Sequence, residues 1–382
     1  MHEKLAYVIK HYALVQFLYR HIMSFIFRLW GLFTGFDENL VLFSSMSGDQ
    51  YGGSPKVLFE KMKSDPRFES FHFVWAFSDL NAFDAEGADK VKIDSAAYFK
   101  NALRAKIWIT DVNIERGLHF KKKNTVYLNT WHGTGPKKGG NAVAGRKDYD
   151  FSYVDIWCCD GEYTKNVFMK YWNAKEENML MCGRPREDEL FEFTPNDTYE
   201  IKKEIGIPQN KKVILYMPTW REYGNRELTP ELWRKAFDGE YVMLVRSHHF
   251  SKPLLSAEAD SGFVYDVSSY QNVNKLYWIA DILISDYSSA FFDYGLLGKP
   301  MYCYAYDYDK YKREYGLFID LDKEFPNGVI CSEEEVIDRI VNINYPAECK
   351  KSKDYCGRYV KHTVNAAECC LNEILKRIQV TK

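Results

Sequence analysis

Most of the short signatures that betray a mechanism are missing from this chain. It has no GxxxxGK[ST] loop, no GxGxxG opening a helix, no GxSxG elbow and no HExxH pair. P-loop, dinucleotide-binding, serine-hydrolase and zinc-protease chemistry are thereby excluded in their usual forms. The nine cysteines are odd in number, form no CxxC and have no histidine at ligand spacing, so they read as reduced thiols and not as a disulfide frame or a zinc motif. An excess of one charge is also missing: 51 basic against 53 acidic residues leave a net −2, which argues against nucleic acid as a partner. Long apolar runs are absent as well. In the first 36 residues the longest stretches without Lys, Arg, Asp or Glu are 11–19, 21–27 and 29–36, all short of the roughly 20 residues that cross a bilayer. No repeat recurs at solenoid spacing.

Aromatic residues, at 16%, are the one plentiful class, and they suit wet clefts and membrane interfaces. The 382 residues suffice for two or three domains. Short apolar runs alternate with helical patterns from residue 39 onward. Strands are expected at 40–44, 71–77, 107–110, 125–129, 154–159 and 179–182, then, after a polar linker at 192–211 built around a short charged helix, at 212–217, 241–246, 263–265, 282–285 and 300–304. This βαβ rhythm predicts an α/β protein of two Rossmann-like halves, 37–200 and 206–382, with ligands in the cleft between the carboxyl ends of their strands.

Residues 1–36 carry Leu5, Val8, Tyr12, Val15, Leu18, Ile22, Phe25, Ile26, Leu29, Trp30 and Phe33 at helical spacing, with Lys4, Lys10, Arg20 and Arg28 against Glu3. A cationic, aromatic amphipathic helix of this kind is expected to lie on an anionic membrane surface, with packing on the chain's own core as the competing expectation.

Four strand ends carry groups suited to chemistry. NTWHGTGPKKGG, residues 129–140, presents His132 from a glycine-rich turn beside Lys137 and Lys138, and 116–147 holds eight basic residues and no acidic one. A phosphate-bearing ligand is the expected partner. ILISDYSSAFFDYGLLGKP, residues 282–300, sets Asp286 in a turn and Ser288 and Ser289 at the start of a helix, a site for a diphosphate unless Ser288 is only a cap. Asp293 could accept from ribose hydroxyls. YMPTWRE adds Thr219 and Arg221, LVRSHHF adds Arg246, His248 and His249, and GRPRED adds Arg184 and Arg186. Gly52 and Gly53 after the first strand are a weak phosphate-loop hint. No carboxylate cluster points to a metal, so no cofactor is expected.

On TWHGTGPKK, GRPRED, PTWRE, RSHHF and SDYSSAFFDYGLLGKPMYCYAYDYDKYKREYGLFID, the chain resembles the CDP-glycerol glycerophosphotransferase family of teichoic acid and capsule synthesis over most of residues 40–325. The resemblance implies a GT-B type fold of two Rossmann domains that moves a polyol phosphate from CDP-glycerol and releases CMP. Carried onto this sequence, His132 is the base, His248 a second essential histidine, and Ser288 and Ser289 hold the donor diphosphate. Thr219, Arg221, Asp286, Asp293, Lys137, Lys138 and Arg186 are the further substrate-binding residues expected. Gly135-Pro136 departs from the proline and bulky residue of many members. The implied acceptor is undecaprenyl-diphosphate-linked, which places the enzyme peripherally at the cytoplasmic face of the membrane, and the compact length looks like a first-unit primase. A sugar-nucleotide glycosyltransferase and a silent nucleotide-binding protein are the alternatives.

Overall fold

The computed structural model describes residues 13–224, 226–247, 262–361 and 365–380. His248 and His249 lie outside them. Seven parallel strands form the first sheet: β1 (Asp37–Ser44), β2 (His72–Phe77), β3 (Ala88–Lys92), β4 (Ala105–Thr110), β5 (Val126–Asn129), β6 (Ile156–Cys159) and β7 (Met179–Met181), in the order β3-β2-β1-β4-β5-β6-β7. Six more form the second: β8 (Lys212–Tyr216), β9 (Tyr241–Val245), β10 (Val264–Asp266), β11 (Ile282–Ser285), β12 (Met301–Tyr304) and β13 (Val329–Ile330), in the order β10-β9-β8-β11-β12-β13. Each sheet reverses its winding once, between β1 and β4 and between β8 and β11. At such a switch point the flanking loops diverge and leave a crevice beyond the carboxyl ends of the strands.

The inner strands are buried on both faces, so they read as continuous apolar runs instead of alternating ones. Val41 and Phe43 of β1 pack with Leu58 and Phe59 of the helix Gly53–Ser64, while Leu40 and Leu42 pack with Tyr98 and Leu103 on the other face. β6 divides its adjacent cysteines in the same way, Cys158 to one face and Cys159 to the other. Lys106, buried in β4, pairs its ammonium with Glu38 at 2.9 Å. β3, absent from the expected strands, is the polar sequence ADKVK at the sheet edge with no buried residue. The second unexpected strand, β13, has two residues.

The linker holds the short charged helix expected of it. Helix Pro195–Ile205 lies inside it, opened by reciprocal bonds between Thr194 and Asp197 and closed by Gly206 at φ +83°. The unit 206–382 needs correction, because the last helix, Ala366–Val380, crosses back to the first sheet. Its Cys370, Leu371 and Ile374 share a core with Val41, Ile109 and Leu128.

Helix Ala13–Phe33 meets the expectation of packing on the chain's own core with one of its faces. One face docks on the first half: Phe27 stacks with Phe120 and lies 4.5 Å from the Phe99 ring, and Ser24 Oγ accepts from His119 N at 3.0 Å. Arg20 Nε donates to Gly117 O and Arg28 Nε to His119 O. These two cations therefore belong to the docking face and not to the outward one. Trp30, expected outward, is half-buried against Phe27. The outward face is almost entirely apolar, with Leu14, Phe17, Leu18, Ile22, Phe25, Leu29, Leu32 and Phe33 exposed, the last two by 78% and 81%. Among the described residues no helix is long and apolar enough to cross a membrane.

Candidate active site

Both switch points open into one cleft of about 560 Å³. Asp111 and His132 reach it from the ends of β4 and β5, and Ser288, Ser289 and Asp293 from the segment after β11. The two halves touch where the WHGT and DYSS turns meet. A Cβ on Gly133, whose φ is +138°, would lie 2.5 Å from Ser289 Oγ, and one on Gly135 would lie 2.8 Å from Ser289 N. Only glycine allows this approach, which accounts for the glycines around His132.

His132 sits at this junction. Its Nδ1 is 2.9 Å from the backbone oxygen of Asp111. A carbonyl can only accept, so Nδ1 carries the proton and Nε2 keeps its lone pair. The ring is exposed to the cleft yet walled by protein, and this enclosure, with nearby Arg186, Lys137 and Arg184, lowers its pKa from 6.5 to about 4. A neutral imidazole with a fixed tautomer is a proton acceptor across the physiological range.

Arg186 joins the halves. From the first it donates to both carboxylate oxygens of Asp293 in the second, at 2.8 and 2.9 Å, while its other terminal nitrogen donates to His132 O at 2.8 Å. Beneath it Arg184 is fully buried and pairs with Asp160 at 2.5 Å, Glu187 at 3.2 Å and Asp293 at 3.6 Å. Asp293 thus works as an interdomain tie. Ser288 Oγ accepts from Ala290 N at 3.1 Å in the turn before the helix Ala290–Gly295, whose N-cap position is Ser289, and it lines the cleft. Ser289, with no such bond, is directed at Gly133.

Five expected binding residues, Thr219, Arg221, Asp286, Lys137 and Lys138, lie away from the cleft wall. Arg221 is buried, ion-paired with Asp286 at 2.9 Å and Asp307 at 2.5 Å, and surrounded by the rings of Tyr287, Tyr306 and Tyr311. Asp286 also accepts from Thr219 N and Tyr287 N. Arg221, Asp286 and Thr219 thereby form a closed framework that fixes the turn carrying the serines. The Lys138 backbone N–H donates to Gly316 O, beside an isolated Lys137–Leu317 bridge and a Phe318 N–H bond to Pro136 O. Pro136 therefore lies in a clasp between the halves. Lys137 points from that clasp toward Asp286, whose charge opposes the lowering of the lysine pKa by burial. Elsewhere in 116–147, Arg116 pairs with Asp94, Lys121 with Asp155 and Arg146 with Asp148, which neutralises much of the expected basic patch.

The cleft also has residues that motif spacing does not reveal: Tyr51, Lys56, Asp111, Asn274 and Tyr277. Asp111 accepts from Ser45 Oγ at 2.8 Å and Met46 N at 2.7 Å, and burial raises its pKa from 3.8 to about 6. Gly52 and Gly53 line the cleft as well.

Two doubly wound domains with a shared cleft at their switch points are the GT-B architecture. Comparison with known proteins narrows this. The CDP-glycerol:poly(glycerophosphate) glycerophosphotransferase family model matches residues 24–365, and the chain belongs to that family. A teichoic acid glycerol-phosphate transferase of Staphylococcus aureus is 32% identical over 339 residues, 81% of this chain and 85% of that protein. A teichoic acid poly(glycerol phosphate) polymerase of Bacillus spizizenii is 29% identical over 84% of this chain and 87% of its own length. The structure of the wall teichoic acid polymerase TagF superposes with a TM-score of 0.83 at 27% identity, covering 97% of this chain and 99% of that one. The chain is accordingly a CDP-glycerol glycerophosphotransferase of teichoic acid synthesis. Its compact length does not separate primase from polymerase, because the B. spizizenii polymerase is of comparable size.

Proposed function

We propose that the enzyme transfers glycerol phosphate from CDP-glycerol to a hydroxyl of an undecaprenyl-diphosphate-linked precursor, with His132 as general base. The observation that carries this reading is the fixed Nδ1 bond to Asp111 O, which leaves Nε2 open toward the cleft beside Ser289. Nε2 takes the proton of the acceptor hydroxyl as its oxygen bonds to the β-phosphorus. The bond from that phosphorus to the bridging oxygen breaks, and the oxygen leaves with its electron pair as part of CMP. Ser288, Ser289 and nearby backbone amides stabilise the charge on the transferring group. Asp293 is held by Arg186, which leaves it a positioning role in place of the ribose contact expected from the sequence. His248, outside the described residues, keeps its proposed role through the family motif alone.

A panel of nucleotide donors with a lipid-diphosphate acceptor tests the reading. CMP release and a lipid heavier by one or more glycerol phosphates are expected, and the number added distinguishes first-unit from repeated transfer. UDP or GDP release from a sugar nucleotide would establish the glycosyltransferase alternative, and binding of CDP-glycerol without turnover the silent one.

We further propose that the outward face of helix Ala13–Phe33 lies on the cytoplasmic membrane surface. With Arg20 and Arg28 bonded to carbonyls of the first half, attachment rests on apolar insertion, worth about 1.5–3 kcal/mol for each side chain fully buried, more than on charge. Replacing Phe25, Leu29, Leu32 and Phe33 by Gln is expected to abolish flotation with anionic liposomes. Transfer to a soluble acceptor analogue should persist, and wild-type flotation should survive high salt. Flotation of the fourfold variant, or salt-stripping of the wild type, would contradict this.

A further inference from the structure

Away from the cleft, three cysteines distant in sequence meet at one point. Cys158 lies on β6, Cys182 just after β7, and Cys370 on the helix Ala366–Val380 that crosses back to the first sheet. All three are buried. Cys158 Sγ is 3.2 Å and Cys182 Sγ 3.8 Å from Cys370 Sγ, and the three sulfurs lie within 4.8 Å of one another. A triangle of those dimensions has its centre about 2.0–2.4 Å from each sulfur, which spans the zinc–thiolate bond length of about 2.3 Å.

We infer that Cys158, Cys182 and Cys370 bind a thiolate-preferring d¹⁰ metal ion, with zinc as the probe, that staples the last helix to the first sheet. Such ions select soft sulfur ligands. The ligands come from three separate elements, so no linear CxxC signature announces them. The helix arrives in a set place: Asp188 accepts from Ala366 N and Ala367 N, both at 2.9 Å, at its first turn. The surrounding core of Ile109, Leu128, Leu371 and Ile374 excludes competing water. Binding replaces thiol protons by the ion, so protons leave to solvent and affinity rises with pH. The site lies apart from the reaction, and its role is to fix the crossing helix.

The full-length protein, purified under reducing conditions without added chelator, tests the inference by elemental analysis and by cobalt substitution. About one zinc per chain and a sulfur-to-cobalt charge-transfer band are expected. Cys158→Ser and Cys370→Ser should lose the band and the bound metal, whereas Cys331→Ser and Cys349→Ser should keep both. Copper at the same stoichiometry would support the site and change the ion. If the serine variants fail to fold, the wild-type spectrum decides. Wild-type protein that holds metal only at background and gives no band with cobalt overturns the inference, as does a disulfide among these cysteines in the freshly purified protein.

Discussion

His132→Ala is expected to lower kcat by about 10²- to 10⁴-fold, the usual contribution of a positioned general base, while the KM for CDP-glycerol changes little. The asymmetry follows from the ring's position. It makes one bond, to Asp111 O, and its other nitrogen faces the cleft, so the substitution removes a proton acceptor without removing a strut. The lost neutral hydrogen bond is worth only about 1 kcal/mol of stability, and the variant should unfold close to the wild type. The pH dependence carries the same signature. Protonation opposes catalysis, and protein enclosure lowers the imidazole pKa to about 4. The acid limb of kcat/KM should therefore fall below the ordinary 6.5 and be absent from the His132→Ala profile. Near-wild-type turnover by this variant would remove His132 from the mechanism.

Arg184→Met is expected to be the most destabilising single substitution near the site, costing about 3–5 kcal/mol, the range for removing one partner of a buried ion pair. The guanidinium is fully buried among Asp160, Glu187 and Asp293. Methionine replaces its volume but takes the cation from Asp160 and Glu187, while Asp293 keeps Arg186. Urea unfolding should show the loss, and adding Asp160→Asn to the variant should recover part of it by removing one uncompensated charge. A loss below about 1 kcal/mol would mean that water reaches the cluster and screens it.

The sheets were legible in the sequence because doubly buried parallel strands leave continuous runs such as IWIT and ILIS, bounded by turns. β3 was not legible, because an edge strand can be as polar as ADKVK. His132 and the serine turn were also legible, since each follows a strand at a cleft-facing end. The partners of the charged residues were not. PTWRE shows an arginine past a strand, but nothing local tells that Asp307, 86 residues later, closes on it. For the same reason GRPRED did not reveal that Arg184 is buried and Arg186 spans the halves, and the eight basic residues of 116–147 looked unpaired although Asp94 and Asp155 neutralise two of them. Ion pairing is a tertiary property, so counts of local charge overestimate what remains for a ligand.

The central claim is that attack occurs at phosphorus, although GT-B architecture is shared with enzymes that move sugars. CDP-glycerol carrying radioactive phosphorus in the β-position, incubated with enzyme and lipid-linked acceptor, tests this most directly. Attack at the β-phosphorus puts the label in the lipid and leaves unlabelled CMP. Recovery of the label in CDP, with bare glycerol on the lipid, would show that the bond to carbon breaks instead and would contradict the account.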